Sequence, residues 1–130
     1  MPGIFSKIIA GEIPCHKVAE NDNFIAFLDI QPLKKGHTLI VPKQEIDYIF
    51  DIDDAMLAEM MVFAKHVAVA LKKAFPCTKI GVAVLGLEVA HAHIHLVPID
   101  KESDIRFSNP RLSFSHEEYS EIAKAIRTHL

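Results

Sequence analysis

The chain has 130 residues, enough for one domain with little room for a second. Half of them are hydrophobic and 24% are charged, the balance of an ordinary globular protein, so neither a cofactor nor a metal has to be invoked to hold it together. A net charge of −3 argues against a general binder of nucleic-acid polymers, which would carry a basic excess or stripe, but it leaves room for a small nucleotide met by a few aimed donors.

In chain order, residues 4–9 read as a short helix closed by Gly11 and Pro14. Residues 16–20 form a first strand, and Asn21-Asp22-Asn23 is a turn signal leading into a second strand at 24–30, so the pair is a hairpin. Residues 32–36 are a loop, and His37-Thr38-Leu39-Ile40-Val41 is a third strand stopped by Pro42. After a connection at 44–52, Asp53 caps a long helix that must end before Pro76. Leu57, Met60, Met61, Ala64, Val67, Ala68 and Leu71 recur at helical spacing along it. Residues 79–85 are a fourth strand, Gly86 a break and residues 91–99 a fifth strand. Residues 101–113 are irregular, and Ser115-x-x-Glu118 is a capping box that opens a last helix at 116–128.

The order α-β-β-β-α-β-β-α with short connections implies an α+β domain over residues 1–130. Its five-stranded sheet is mainly antiparallel, with the helices on one side. Residues 1–7 lack the basic-then-apolar build of a secretory leader, and no apolar run is long enough to span a bilayer. Cys15 and Cys77 form no zinc-type spacing. The expectation is a cytoplasmic protein with reduced thiols and no membrane partner.

The chemistry concentrates in His91-Ala92-His93-Ile94-His95. Strand side chains alternate, so the three imidazoles share one face while Ala92, Ile94 and Leu96 share an apolar one. Three readings compete. The rings are solvated surface groups; or two of them, with His37 as a further donor, bind a metal; or they perform phosphoryl chemistry. One ion is hard for all three to reach, because positions i and i+4 of a strand lie about 13 Å apart. Phosphoryl chemistry suits the whole row: a neutral imidazole attacks phosphorus well and leaves readily, and rings on either side donate to phosphate oxygens and the leaving group.

The run His91-Ala92-His93-Ile94-His95-Leu96-Val97 matches the alternating signature of the histidine triad (HIT) family. Residues 4–14, 27–32 and 36–43 also resemble that family's opening segment and next two strands, so the likeness runs from about residue 4 to 99. The resemblance implies a nucleotidyl hydrolase or transferase. Such an enzyme cleaves the α-phosphate link of a purine nucleoside monophosphate conjugate through a nucleotidyl-histidine intermediate. It implies no cofactor and no catalytic metal, a small-molecule nucleotide partner, and a homodimer paired through the long helix and an adjoining strand. His93 is then the nucleophile, His91 and His95 flank it, His37 is an additional histidine, and Asp29 grips the ribose hydroxyls. Asp29 also suits a strand-end cap, and His37 a strand start. Some of Phe24, Ile25, Phe27 and Leu28 line an apolar slot for the base. Gly86 permits close backbone approach to a phosphate. Glu88 departs from the family pattern, standing where a small hydroxyl residue is common, and residues 78–87 hold no asparagine. That departure motivates a second reading, a nucleotide-binding or scaffold protein with feeble catalysis. His16, His66, His116 and His129 read as structural or surface residues.

Overall fold

The computed structural model describes residues 3–130; residues 1 and 2, part of the stretch read for a leader, lie outside them. The elements are α1 (Ile4–Ile9), β1 (Lys17–Glu20), β2 (Phe24–Leu28), β3 (Thr38–Pro42), α2 (Asp54–Ala74), β4 (Lys79–Ala83), β5 (Ile94–Ile99) and α3 (His116–Arg127). One five-stranded sheet runs in the order β1-β2-β3-β5-β4, with every neighbouring pair antiparallel. The expected fold class is therefore observed.

Alternation along the strands sorts the apolar residues onto two faces. Phe24, Ala26, Leu28, Ile40, Ile94 and Leu96 join Met60, Ala64, Val67, Ala70 and Leu71 of α2 and Tyr119, Ile122, Ala123 and Ile126 of α3 in the main core. Each large side chain buried this way is worth roughly 1.5–3 kcal/mol. Ile25, Phe27, Leu39 and Val41 point to the opposite face, where Phe5 of α1 packs on them. The expectation of helices on one side is thus corrected: α1 covers the other face, because the buried positions of β2 and β3 are apolar on both faces. The second face is the one that carries the histidines.

The caps behave as the residues dictate. Asp53 Oδ1 accepts from the Met56 amide at 2.9 Å. Ser115 Oγ accepts from the Glu118 amide at 3.1 Å, while Glu118 Oε1 accepts from the Ser115 amide at 2.9 Å. In α2, Met60 is fully buried but Met61 is 51% exposed, so the adjacent methionines divide between core and surface.

Several boundaries differ. β2 stops at Leu28 instead of Ile30, which leaves Asp29 at the strand mouth. β3 begins at Thr38, so His37 belongs to the loop before it. β4 stops at Ala83, before the expected Leu85. β5 begins at Ile94, three residues later than expected. The ladder with β3 runs only from Ile94 to Leu96, so His91–His93 lies outside it and is held by other contacts. One of these is the Ala92 amide donating to Ile46 O at 2.7 Å.

Candidate functional site

At the β2–β3 end of the sheet, a loop delivers two polar side chains to one place. Gly36 has φ +93°, and a Cβ there would meet Leu71 Cδ1 at 2.8 Å, so only glycine fits this turn beneath α2. The turn sets His37 in a fully buried position. The His37 carbonyl accepts from the Asp29 amide at 3.0 Å, and the Tyr119 hydroxyl donates to the Asp29 carbonyl at 3.1 Å. The backbone of Asp29 is thereby pinned on two sides.

The hydrogen bonds assign the histidine tautomers. The Leu33 amide, a donor only, reaches His37 Nδ1 at 3.0 Å, so that nitrogen is the acceptor and the proton sits on Nε2. His37 Nε2 then donates to His95 Nδ1 at 2.9 Å, which leaves the His95 proton on its Nε2. His93 Nδ1 lies 2.7 Å from the His91 carbonyl, an acceptor only, so Nδ1 carries the proton and Nε2 keeps its lone pair. His91 Nε2 donates to Pro42 O at 2.8 Å, and its Nδ1 is buried without a partner.

Burial keeps these rings neutral. It pushes His37 down to about 3, helped by the charges of His95, Arg111 and His93. It likewise pushes His95 down to about 4, with His93 and Arg111 adding to the effect. His93 is also lowered by burial, although its bond to the His91 carbonyl and the charge of Asp29 hold it partly up. The Asp29 carboxyl is raised by burial and opposed by the Gln31 amide, which donates to Oδ1 at 2.8 Å, and by Arg111 and His93.

These groups open onto a cleft of about 550 Å³, within the range of small-ligand sites. Ile4, Phe5 and Ile8 of α1 form one wall, with Phe27 and Leu39 of the sheet beneath them. His93, His95 and Asp29 supply polar groups, and the loop Leu85–Val89 forms the rim with Gly86 and Glu88. The sequence-derived set is therefore only partly gathered. His91 and His37 do not line the cleft; they stand behind it and set the orientation and tautomer of His93 and His95. Gly86 has φ +72°, and a Cβ there would meet Asp47 O at 3.9 Å, an ordinary contact, so the glycine serves the turn and relieves no close approach. Glu88 is exposed on the rim. Of the four aromatic and aliphatic base-slot candidates, Phe27 and Leu28 reach the cleft, while Phe24 faces the main core and Ile25 packs under α1.

Four cleft residues escaped the sequence reading as ligand contacts. Phe5 sits edge-on to the His93 ring with centroids 5.1 Å apart. Phe107 lies 4.7 Å from the His95 ring, and Arg111 stands beside it. His16, read as structural or surface, lines the cleft and stacks on Tyr119 at 4.9 Å. Helical spacing around Phe5 is a visible signal; Phe107 and Arg111 come from irregular chain that carries no period. For a metal, the donor atoms that gather within 4.8 Å are those of Asp29, His37 and His95. That set includes His37, the further donor expected, but only His95 of the triad, since His91 is committed to Pro42 O. An ion would have to break the bond between His37 and His95.

A five-stranded antiparallel sheet that presents two neutral imidazoles and a carboxylate to an apolar-walled cleft defines a small-ligand-binding α+β domain. The HIT domain family model matches residues 10–102. The chain is 34% identical over 131 residues to an uncharacterized HIT-like protein of Borreliella burgdorferi, covering 95% of this chain and 94% of that one. It is 31% identical over 128 residues to a Schizosaccharomyces pombe protein named adenosine 5'-monophosphoramidase, covering 97% and 96%. The crystal structure of a Hit-like protein from Bartonella henselae superposes with a TM-score of 0.84 at 34% identity, covering 98% of this chain and 96% of that one. The chain belongs to the HIT family. Among the described residues, no helix is long and apolar enough to cross a membrane.

Proposed function

We propose that this protein cleaves the α-phosphate link of a purine nucleoside monophosphate conjugate, with His93 Nε2 attacking phosphorus to form a covalent nucleotidyl-histidine. The observation that carries the reading is the 2.7 Å bond from His93 Nδ1–H to the His91 carbonyl. It fixes the one tautomer whose free lone pair lies on the far ring nitrogen, and burial keeps that lone pair unprotonated. Opposite it, the chain from Leu33 through His37 leaves His95 with an Nε2–H, a donor suited to a phosphate or leaving-group oxygen. The apolar wall of Phe5, Ile8, Phe27 and Leu39 receives the base. The Asp29 carboxylate accepts from the ribose hydroxyls. Water then attacks the His93 adduct and releases the nucleoside monophosphate. The name carried by the fission-yeast relative supports a phosphoramidate as one substrate.

Replacing His93 with Ala or Asn tests this. Loss of turnover by several orders of magnitude in a folded variant is expected; full activity would refute the mechanism. Calorimetry separates the scaffold reading, which requires tight nucleoside monophosphate binding and no turnover of any conjugate.

We also infer a homodimer. β4 is an edge strand, and exposed Val82 and Val84 on or beside it accompany exposed Met61, Val62 and Val69 on α2. Unpaired edges and apolar patches of this kind are normally covered. Light scattering that finds a monomer at micromolar concentration would contradict it.

A further inference from the structure

α1 supplies one wall of the cleft through Ile4, Phe5 and Ile8, yet little holds it there. The helix has six residues, and Phe5 is its only buried side chain. Helices this short do not persist on their own. Its N-cap is Gly3, which has no side chain to take the amides left free at the helix start. Among the described residues, the hydrogen bonds of Gly3 and α1 stay within residues 3–13, with one exception. Glu45 Oε1 accepts from the Gly3 amide at 2.8 Å and from the Ser6 hydroxyl at 2.7 Å.

Glu45 lies in the connection between β3 and α2, and that connection is fastened to the histidine segment. The Ala92 amide donates to the carbonyl of Ile46, the next residue, at 2.7 Å, and His91 Nε2 donates to Pro42 O at 2.8 Å. The carboxylate that grips α1 is therefore tied to the same chain that presents His93. The bonds from the Gly3 amide and the Ser6 hydroxyl hold the Glu45 carboxyl below its usual range, so both are charge-assisted at neutral pH. No ion pair among the described residues uses Glu45, and it does not line the cleft. Its only reach into the site is through α1.

We propose that Glu45 is a positioning residue: it clasps α1 against the sheet and so keeps the base slot formed before the nucleotide arrives. This rests on the reading above that Phe5 and Ile8 help to receive the base. The chemical step does not need the clasp. His93 keeps its bond to the His91 carbonyl whether or not α1 is docked, and a bound base draws the helix back. Losing the clasp lowers the fraction of free enzyme whose slot is formed. Apparent affinity falls by that fraction, while the rate of the bound complex stands.

The test measures kcat and KM for adenosine 5'-phosphoramidate and for a base-free methyl riboside 5-phosphoramidate, together with amide hydrogen exchange of α1. The proteins are the wild type, Glu45→Ala, Glu45→Gln, Ser6→Ala and the Ser6→Ala, Glu45→Ala double variant. Glu45→Ala is expected to raise KM for the adenosine substrate about tenfold, the scale of one hydrogen bond, and to keep kcat within about twofold. Its constants for the base-free substrate should match those of the wild type. The α1 amides should exchange faster, and saturating adenosine monophosphate should restore their protection. Glu45→Gln keeps the accepting oxygen and should recover most of the loss. Ser6→Ala should lose less than Glu45→Ala, and the double variant no more than Glu45→Ala, because both changes remove the same contact. Wild-type KM or wild-type exchange in Glu45→Ala would overturn the inference and leave the base slot and the His93 mechanism standing. An equal fall in kcat on both substrates would overturn it too, because it would make Glu45 a general support of the fold. A wild type that treats the two substrates alike would sink the base-slot reading first, and this inference with it.

Discussion

Acidification should destabilise this protein well above the pH at which its carboxylates titrate, because two buried imidazoles are held neutral. The sign follows from proton binding. In the unfolded chain His37 and His95 titrate near 6.5, whereas in the folded protein they titrate near about 3 and about 4. Below pH 6.5 the unfolded chain therefore takes up protons that the folded one refuses, and stability falls as pH falls. Each ring costs about 1.4 kcal/mol per pH unit in this window. From pH 6.5 to about pH 5 that is roughly 2 kcal/mol apiece, and on the order of 4 kcal/mol together, a large share of the 5–15 kcal/mol typical of a domain. Asp29, raised by burial, works in the opposite sense, so the clean measure is a difference between variants. Gln at position 37 can accept from Leu33 and donate to His95 without titrating. Urea unfolding at about pH 7.5 and about pH 5 should show the wild type losing roughly twice what His37→Gln loses. Identical losses in the two proteins, or none in either, would refute the reasoning.

The pH dependence of catalysis follows from the same burial. His93 attacks as the neutral ring and is lowered below 6.5, so kcat/KM should stay level down to about pH 6.5 and decline only below it; an acid limb that begins above pH 7 would contradict this. Gly36→Ala should cost roughly 2–5 kcal/mol in chemical denaturation, because a side chain at φ +93° is strained and meets Leu71 and Phe75 under α2. Ser115→Ala removes the hydroxyl that accepts from Glu118 and should cost about 1 kcal/mol, read as a small fall in melting temperature with activity retained.

What could be read before folding was whatever has a period or a local rule. The alternation of Ala92, Ile94 and Leu96 against the histidines identified the core-facing side, and those residues are fully or almost fully buried. Asp53 and Ser115 announced their helices through short-range caps. The division of labour among the histidines was not legible, because it depends on pairs remote in sequence: His91 on Pro42, His37 on His95. The late start of β5 follows from the short ladder with β3, a register no single strand encodes. Arg111 lay hidden for a related reason, since it reaches Gln31 across 80 positions from a segment without periodicity. The side of the sheet taken by α1 was missed because a six-residue helix with one buried side chain leaves the choice of face open.

The most direct test of the account is to stop the reaction of the purified protein with adenosine 5'-phosphoramidate within a single turnover and to map the covalent nucleotidyl adduct by peptide mass spectrometry. The adduct is expected on His93, absent from His93→Asn, and replaced by free adenosine monophosphate when the reaction is left to run before it is stopped. A nucleotidyl group on His91, His95 or His37, or turnover that proceeds at full rate with residue 93 unmodified, would contradict the claim that the lone pair freed by the His91 carbonyl is the nucleophile.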